Sequence, residues 1–289
     1  MNNSWYIVIF LLLLSIISAD IHFSSSDQEY SMYNSNWNGT SLFINDALDS
    51  GAELIRNYEE LSEIKNSTLI IIEPDWNFTP DELRKIRDYE LSGNKIFISD
   101  ETGSSEILLR LFGTDLSVIK ANLSSVDFEY GNPRFLVCYT SGNDSLLPGI
   151  NSIALNKPSV AAGGNILASS SFISWIDVNG NERVDERESL GKRPVLVKSG
   201  EVYLLSDSGI FQNSLYSDKN LRDNLRLMEN LLKSSDRIFI EARHSKVASE
   251  DGLLVIMNAI RQSEMIKAIT IIIIVSLLLL FYRGKNDRT

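Results

Sequence analysis

An α/β fold built on a doubly wound, mostly parallel sheet is the class predicted by this 289-residue sequence. Three observations predict it. Apolar runs of strand length alternate with capped helical segments over residues 40–113, the order that makes parallel βαβ units. The run at 69–73, Leu-Ile-Ile-Ile-Glu, is nearly unbroken, as a strand covered by helices on both faces requires. Between about 115 and 200 the alternation gives way to short strand signals, which read as an inserted or appended β-rich region.

In chain order, residues 5–18 form an apolar stretch ahead of Ala19. That length suits the core of a signal peptide over 1–19, with an uncleaved N-terminal anchor as the alternative. Thr40 or Ser41 caps a helix through Leu48, closed by Gly51, and 52–55 reads as a short strand. Strand 69–73 stops at Pro74. Thr79 then caps a helix with Pro80 at its first position and Glu82 at its third, a capping box, and Gly93 ends it. Residues 95–99 form the next strand and 104–112 the next helix, closed by Gly113. Strand signals follow at 135–139, 152–155, 166–176 and 194–198, and 201–206 returns to a core strand. Asp218 caps a helix whose Leu221, Leu225, Met228 and Leu232 form one apolar stripe. A strand at 238–240 precedes a helical run at 253–257.

Residues 265–282 are predicted as a C-terminal transmembrane helix of about 27 Å. Arg283, Lys285 and Arg288 against Asp287 make the tail 283–289 basic, which places it in the cytoplasm by the positive-inside rule. The expected organisation is therefore single-pass type I at the cell membrane. It comprises an extracytoplasmic α/β domain over 20–235, a membrane-proximal segment over 236–264, and a lipid bilayer partner for the terminal helix.

The net charge is −11 with one cysteine. Setting aside Lys267, Arg283, Lys285, Arg288 and Asp287 leaves residues 20–264 at −14. Such a surface disfavours nucleic acid, which needs basic side chains to displace counterions. One cysteine makes no intrachain disulfide, and no Cys/His cluster stands ready for zinc. Five sequons, at Asn38, Asn66, Asn77, Asn122 and Asn143, are compatible with glycosylation of an exported chain.

Two places carry potential chemistry. In residues 177–188, oxygen side chains fall at Asp177, Asn179, Asn181, Asp185 and Glu188, the one, three, five, nine, twelve spacing of a calcium loop. Glu182 stands where a glycine is usual and strands rather than helices flank the loop, both departures from the motif; with Asn at the third and fifth positions any Ca²⁺ site should be weak. The alternative is a solvated acidic turn. The second place is the pair of turns after strands 95–99 and 201–206, since open α/β sheets bind ligands at strand carboxyl ends. Asp100, Glu101, Asp207 and Ser208 lie there. No Cys–His dyad is expected, because Cys138 sits in an apolar strand and His22 and His244 lie near the ends of the exported part. Ser104 and Ser208 lack a nucleophile elbow and read as turn or cap residues.

The order of these features resembles the archaeal family called domain of unknown function 4350. The stretches that carry the likeness are Tyr30-Ser31-x-Tyr33-Asn34 with Gly39-Thr40-Ser41; Thr68 through Pro74; the helix and turn over 79–94; the 177–188 loop; and Glu201 through Ser208 with Ile210, Phe211, Asn213, Asp223 and Asn224. The likeness spans about 25–233. It implies a glutamine-amidotransferase-like or flavodoxin-like α/β fold without catalytic residues, often membrane anchored. It makes Asp207 to Asn213 and Asn224 recurring polar positions, either ligand-binding or caps of the following helix. The function expected is a non-catalytic binding domain for a partner protein or small ligand, within an envelope complex. The alternative is an extracellular hydrolase using carboxylates and a divalent cation.

Overall fold

The computed structural model describes residues 26–75 and 77–248, with 268, 271, 272 and 275. Helix α1 (Ser41–Asp49) leads into strand β1 (Glu53–Ile55) and then β2 (Ser67–Ile72). Helix α2 (Pro80–Leu91), strand β3 (Lys95–Ser99) and helix α3 (Glu106–Leu111) follow. The capping box of α2 is in place: Thr79 N–H donates to Glu82 Oε2 at 2.8 Å, and Glu82 N–H to Thr79 Oγ1 at 3.4 Å.

Nine strands come next. They are β4 (Ser117–Ile119), β5 (Leu123–Ser125), β6 (Phe135–Thr140), β7 (Ser152–Asn156), β8 (Val160–Ala162), β9 (Asn165–Ser170), β10 (Ser174–Ile176), β11 (Pro194–Ser199) and β12 (Val202–Leu205). Helices α4 (Asn213–Tyr216) and α5 (Asn224–Leu232) precede the last strand, β13 (Arg237–Glu241). The single helix expected from Asp218 is interrupted. Arg222 lies in the left-handed region, and the Asp218 carboxylate takes the Asn220 N–H in a local turn.

The main sheet runs β1-β13-β2-β3-β12-β11-β9-β6-β7. Pairs from β1 to β12 are parallel, and those from β12 to β7 are antiparallel. The expected mostly parallel, doubly wound sheet is thus corrected to a mixed, strand-rich sheet with few helices. The cause is local: only Gly200 and Glu201 separate β11 from β12, and so short a connection permits only antiparallel pairing. The stretch 115–200 is accordingly no insertion beside the sheet. Its β6, β7, β9 and β11 continue the sheet itself, and only the β4/β8 and β5/β10 pairs stand apart.

On one face of the parallel half, Leu69, Ile71, Ile96, Ile98, Val202 and Leu204 pack against Ile86 and Tyr89 of α2 and Leu108 and Leu109 of α3. Period-2 alternation sends Phe97 and Tyr203 to the other face. There the Phe211 ring lies 6.2 Å from Phe97 and 4.7 Å from Phe43 of α1. Residues Asp27–Ala248 form one compact unit.

The membrane expectations are corrected as well. Among the described residues no helix is long and apolar enough to cross a membrane. The longest of these, α2, has 12 residues, about 18 Å against a hydrocarbon core of about 30 Å. The transmembrane helix expected over 265–282 lies mostly outside the described residues, as do the 1–19 signal segment, His22 and the 283–289 tail. Single-pass type I anchoring with a cytoplasmic tail is not supported by any helix among the described residues.

Candidate functional site

Three parallel strands deliver carboxylates to one edge. β2 ends on Glu73, β3 on Asp100 and Glu101, and β12 on Ser206, Asp207 and Ser208. Glu73, Asp100 and Asp207 are fully buried, and Glu101 is partly buried. Expected Glu101 and Asp207 do come together, joined by Glu73, which a carboxylate closing a wholly apolar strand should have signalled.

Glu73 is held from several sides. Ser208 Oγ donates to its Oε2 at 2.8 Å and Thr102 Oγ1 to its Oε1 at 2.8 Å. Lys246 Nζ lies 3.3 Å from Oε1. Glu101 accepts the Tyr30 hydroxyl at 2.9 Å and the Ser208 N–H at 3.3 Å. Burial first, then the charge of Glu73, pushes Glu101 up to about 7, against these two hydrogen bonds. Burial, with the Glu101 charge second, also raises Asp207 well above the usual carboxylate range. The N–H groups of Asn156 and Gly209, both at 2.7 Å, act in the opposite direction. Tyr30 is raised by its burial and by Glu101.

Asp100 is tied to this group only through Thr102 Oγ1, which lies 2.8 Å from Glu73 Oε1 and 3.1 Å from Asp100 Oδ1. Its carboxylate takes the N–H groups of Thr102, Gly103 and Ser105 at 2.8, 2.8 and 2.7 Å, winding the loop into α3. Ser104 Oγ belongs to the same loop, 3.4 Å from Asp100.

Residues 27–33 form a strap over this edge. Tyr30, 2% exposed, reaches Glu101; the Met32 N–H donates to Val247 O at 3.1 Å; Gln212 Nε2 donates to Glu29 Oε1 at 2.9 Å. Tyr30 and Glu73, one above and one within the cluster, both hold positive φ, 62° and 46°, a conformation L-residues keep only when their surroundings enforce it. Asn213 anchors the far end of the strap. Its Nδ2 donates to Asn34 O at 3.1 Å and Asn36 O at 2.7 Å, and its Oδ1 accepts the Leu42 N–H at 2.9 Å. Gly39 must be glycine here, since a Cβ would lie 1.8 Å from Asn34 O.

Asn224 sits elsewhere. Its amide pairs both ways with Ala154, accepting the N–H and donating to the C=O at 2.8 Å each, and so finishes the outer edge of β7. Neither Asn213 nor Asn224 reaches the carboxylates through these bonds. Cys138 is buried in β6, and burial pushes its thiol up. His244 lies between Asp75 Oδ1 and Glu82 Oε2, at 3.3 and 3.2 Å.

In the 177–188 loop only Asn179, Asn181 and Asp185 are joined side chain to side chain, while Asp177 and Glu188 take backbone N–H groups. Asp177 accepts the N–H groups of Gly180 and Glu182 at 2.7 and 2.8 Å. The amides of Asn179 and Asn181 both donate to Asp185 Oδ2, at 2.6 and 3.0 Å, and Glu188 accepts the N–H groups of Val178 and Asp185. Among the described residues no group of three or more His, Cys, Asp or Glu is arranged to hold a metal ion. Of the sequons, Asn66, Asn77 and Asn143 are exposed. Asn38 and Asn122 are half-buried with their amides engaged, Asn38 by Asn34 and Asn122 by Asp177 O and Arg134.

Comparison with known proteins adds kinship. A protein of Methanothermococcus thermolithotrophicus described as "Uncharacterized protein in nifH1 5'region" is 32% identical over 98 residues, 32% of this chain and 99% of that protein. Among solved structures, the "mmIFT52 N-terminal domain" is similar in fold, with a TM-score of 0.52 at 16% identity over 73% of this chain and 95% of that one. "Alpha-L-fucosidase isoenzyme 2" from Paenibacillus thiaminolyticus overlaps 58% of this chain and 24% of that one, at 16% identity and a TM-score of 0.33. The amidotransferase-like part of the expected resemblance is not supported by the family or the archaeal relative. The family described as "Domain of unknown function (DUF4350)" matches residues 32–232. With more than half its length matched, the chain belongs to the DUF4350 family.

Proposed function

We propose that the chain is a non-catalytic binding module, and that a segment of a partner protein or a small ligand engages the carboxyl-end edge now covered by residues 27–33. The observation that carries this reading is the burial of Glu73, Glu101 and Asp207 beneath a strap tied to them by the Tyr30–Glu101 hydrogen bond. Burying carboxylates is costly, and packed apolar residues of similar volume usually serve stability as well or better. Perturbed carboxylates at the ligand edge of an α/β sheet therefore favour a functional role over a purely structural one. The hydrolase alternative needed Asp100 to converge with Glu101 and Asp207; its engagement by its own loop supports the non-catalytic reading.

Crosslinking mass spectrometry on the full chain, wild type and Tyr30→Phe, tests this. Partner crosslinks should map to residues 27–33, 101–102 and 207–209 and should strengthen in Tyr30→Phe, whose strap is looser. Crosslinks confined to other surfaces, or unaltered by the substitution, would remove the reading. A second proposal concerns the 177–188 loop as a weak Ca²⁺ site, supported by the joining of the Asn179, Asn181 and Asp185 side chains in one hydrogen-bonded turn.

A further inference from the structure

We propose that the strap over residues 27–33 is a proton-controlled latch: it stays closed while Glu101 and Asp207 share a proton, and it opens when that proton leaves. The inference rests on the reading of this edge as a binding surface, and adds how access to it is regulated.

The geometry is that of a hinged arm over a crowded set of acids. The hinge end is fixed, because Asn213 grips the main chain at Asn34 and Asn36 and the N–H of Asn213 donates to Gly39 O at 2.7 Å. The arm end reaches the rest of the molecule through Tyr30 to Glu101, Met32 N–H to Val247 O, Gln212 to Glu29 and Arg56 to the Tyr33 hydroxyl, and it is tied back to the hinge by Tyr30 N–H to Asn38 O and by Thr40 to Tyr30 O and Ser31 O. The charged and titratable groups facing Glu101 come from every neighbouring element. Glu29 and Tyr30 lie on the strap, Glu73 follows β2, Asp207 follows β12, and Lys246 on the segment after β13 is placed against Glu73. Lys246 Nζ also lies 5.5 Å from the Tyr30 ring, so this cation touches both strap and cluster.

One ammonium, on a half-exposed lysine, cannot balance Glu73, Glu101 and Asp207 if all three are ionised beneath the strap. With one proton retained, a neutral carboxyl and a carboxylate can lie side by side, as paired acids in buried sites do. Losing it leaves like charges together, and relief comes from letting water in. The arm is the part whose movement admits water while β2, β3 and β12 stay paired. Burial holds Glu101 near 7 in the closed state, whereas an exposed glutamate titrates near 4.3. Closed strap therefore binds the proton more tightly than open strap, and opening must rise with pH across that interval.

Hydrogen exchange of the full chain, corrected for intrinsic amide rates, reads this directly at Tyr30 and Met32, whose N–H groups are engaged by Asn38 O and Val247 O. In the wild type the opening equilibrium at these amides should rise about tenfold per pH unit between about 5 and 7, then level off. Glu101→Gln, neutral at every pH, should hold the low-pH value throughout. Tyr30→Phe should open more at each pH. Amides of β2 and β3 should show no such slope in any variant, which confirms that the sheet is intact. A flat wild-type profile, or an unchanged slope in Glu101→Gln, would overturn the latch. A lost slope in Glu101→Gln supports the latch even if no partner ever crosslinks to the edge, so the two proposals fail separately.

Discussion

The two halves of the main sheet handle polar groups in opposite ways. In the antiparallel half, polar side chains finish backbone edges: Asn224 completes β7 at Ala154, and Asp223 takes the N–H groups of Asn151 and Ser152 at 2.8 and 3.2 Å. In the parallel half, strands that run the same way end together, and their carboxylates are gathered at one edge. Direction of pairing thus decides whether acids are dispersed or concentrated. The concentrated set is the one covered by a strap.

Substitutions in each half sharpen that contrast. The largest effect is expected for Asp100→Ala, which leaves three loop N–H groups without an acceptor. It should cost about 3 kcal/mol and lower Tm by roughly 6–12 °C, measured by thermal denaturation, without altering the pH dependence of the strap. Asn224→Ala should cost about 2 kcal/mol and raise exchange at Ala154 in β7 while sparing β3. Equal loosening of both halves would show that they are not separate in this respect.

More specific than either is the pH dependence of stability. Glu101 is raised in the folded state, so the folded chain holds a proton that the unfolded chain has released. Stability linked to Glu101 is therefore complete below about pH 4.3 and is lost as pH climbs to about 7. Relative to Glu101→Gln, the wild type should lose up to about 3 kcal/mol across that window in denaturant titrations. The opposite slope would place Glu101 in a favourable ionised pair instead.

The smallest effect belongs to the 177–188 loop, remote in sequence from the carboxylate edge. Millimolar Ca²⁺ should raise Tm by about 1–3 °C, a binding contribution of roughly 1 kcal/mol, and Asp177→Ala should abolish the rise. No shift in the wild type would remove calcium and leave the loop as a turn wound by its own hydrogen bonds.

Local rules made much of the fold readable in advance. The capping box at Thr79 and Glu82, and the buried strands around 69–73 and 95–99, follow from short-range chemistry that survives in the folded chain. Sheet direction does not follow from such rules. The two-residue β11–β12 turn, visible only as Ser199-Gly200-Glu201, reverses the sheet and converts the supposed insertion into its second half. At the site, Glu101 and Asp207 were legible from strand-end position. Glu73 was legible in the same way, as the carboxylate closing the run at 69–73, whereas Tyr30 was not, since nothing local states that a residue over forty positions earlier folds back across the strands. Asn213 and Asn224 carried a recurring polar signal, and in the structure one pins the strap and the other closes a sheet edge.

The central claim is that Glu101 is enclosed by the strap and titrates there as a desolvated acid. Selective ¹³C labelling of glutamate side chains in the full chain, followed by NMR from pH 3 to 9, measures this at the carboxyl carbon itself, with Glu101→Gln assigning the signal. A midpoint near 7, accompanied by a matching shift at the Tyr30 amide, is predicted. A midpoint near 4.3 with no response at Tyr30 would contradict the account.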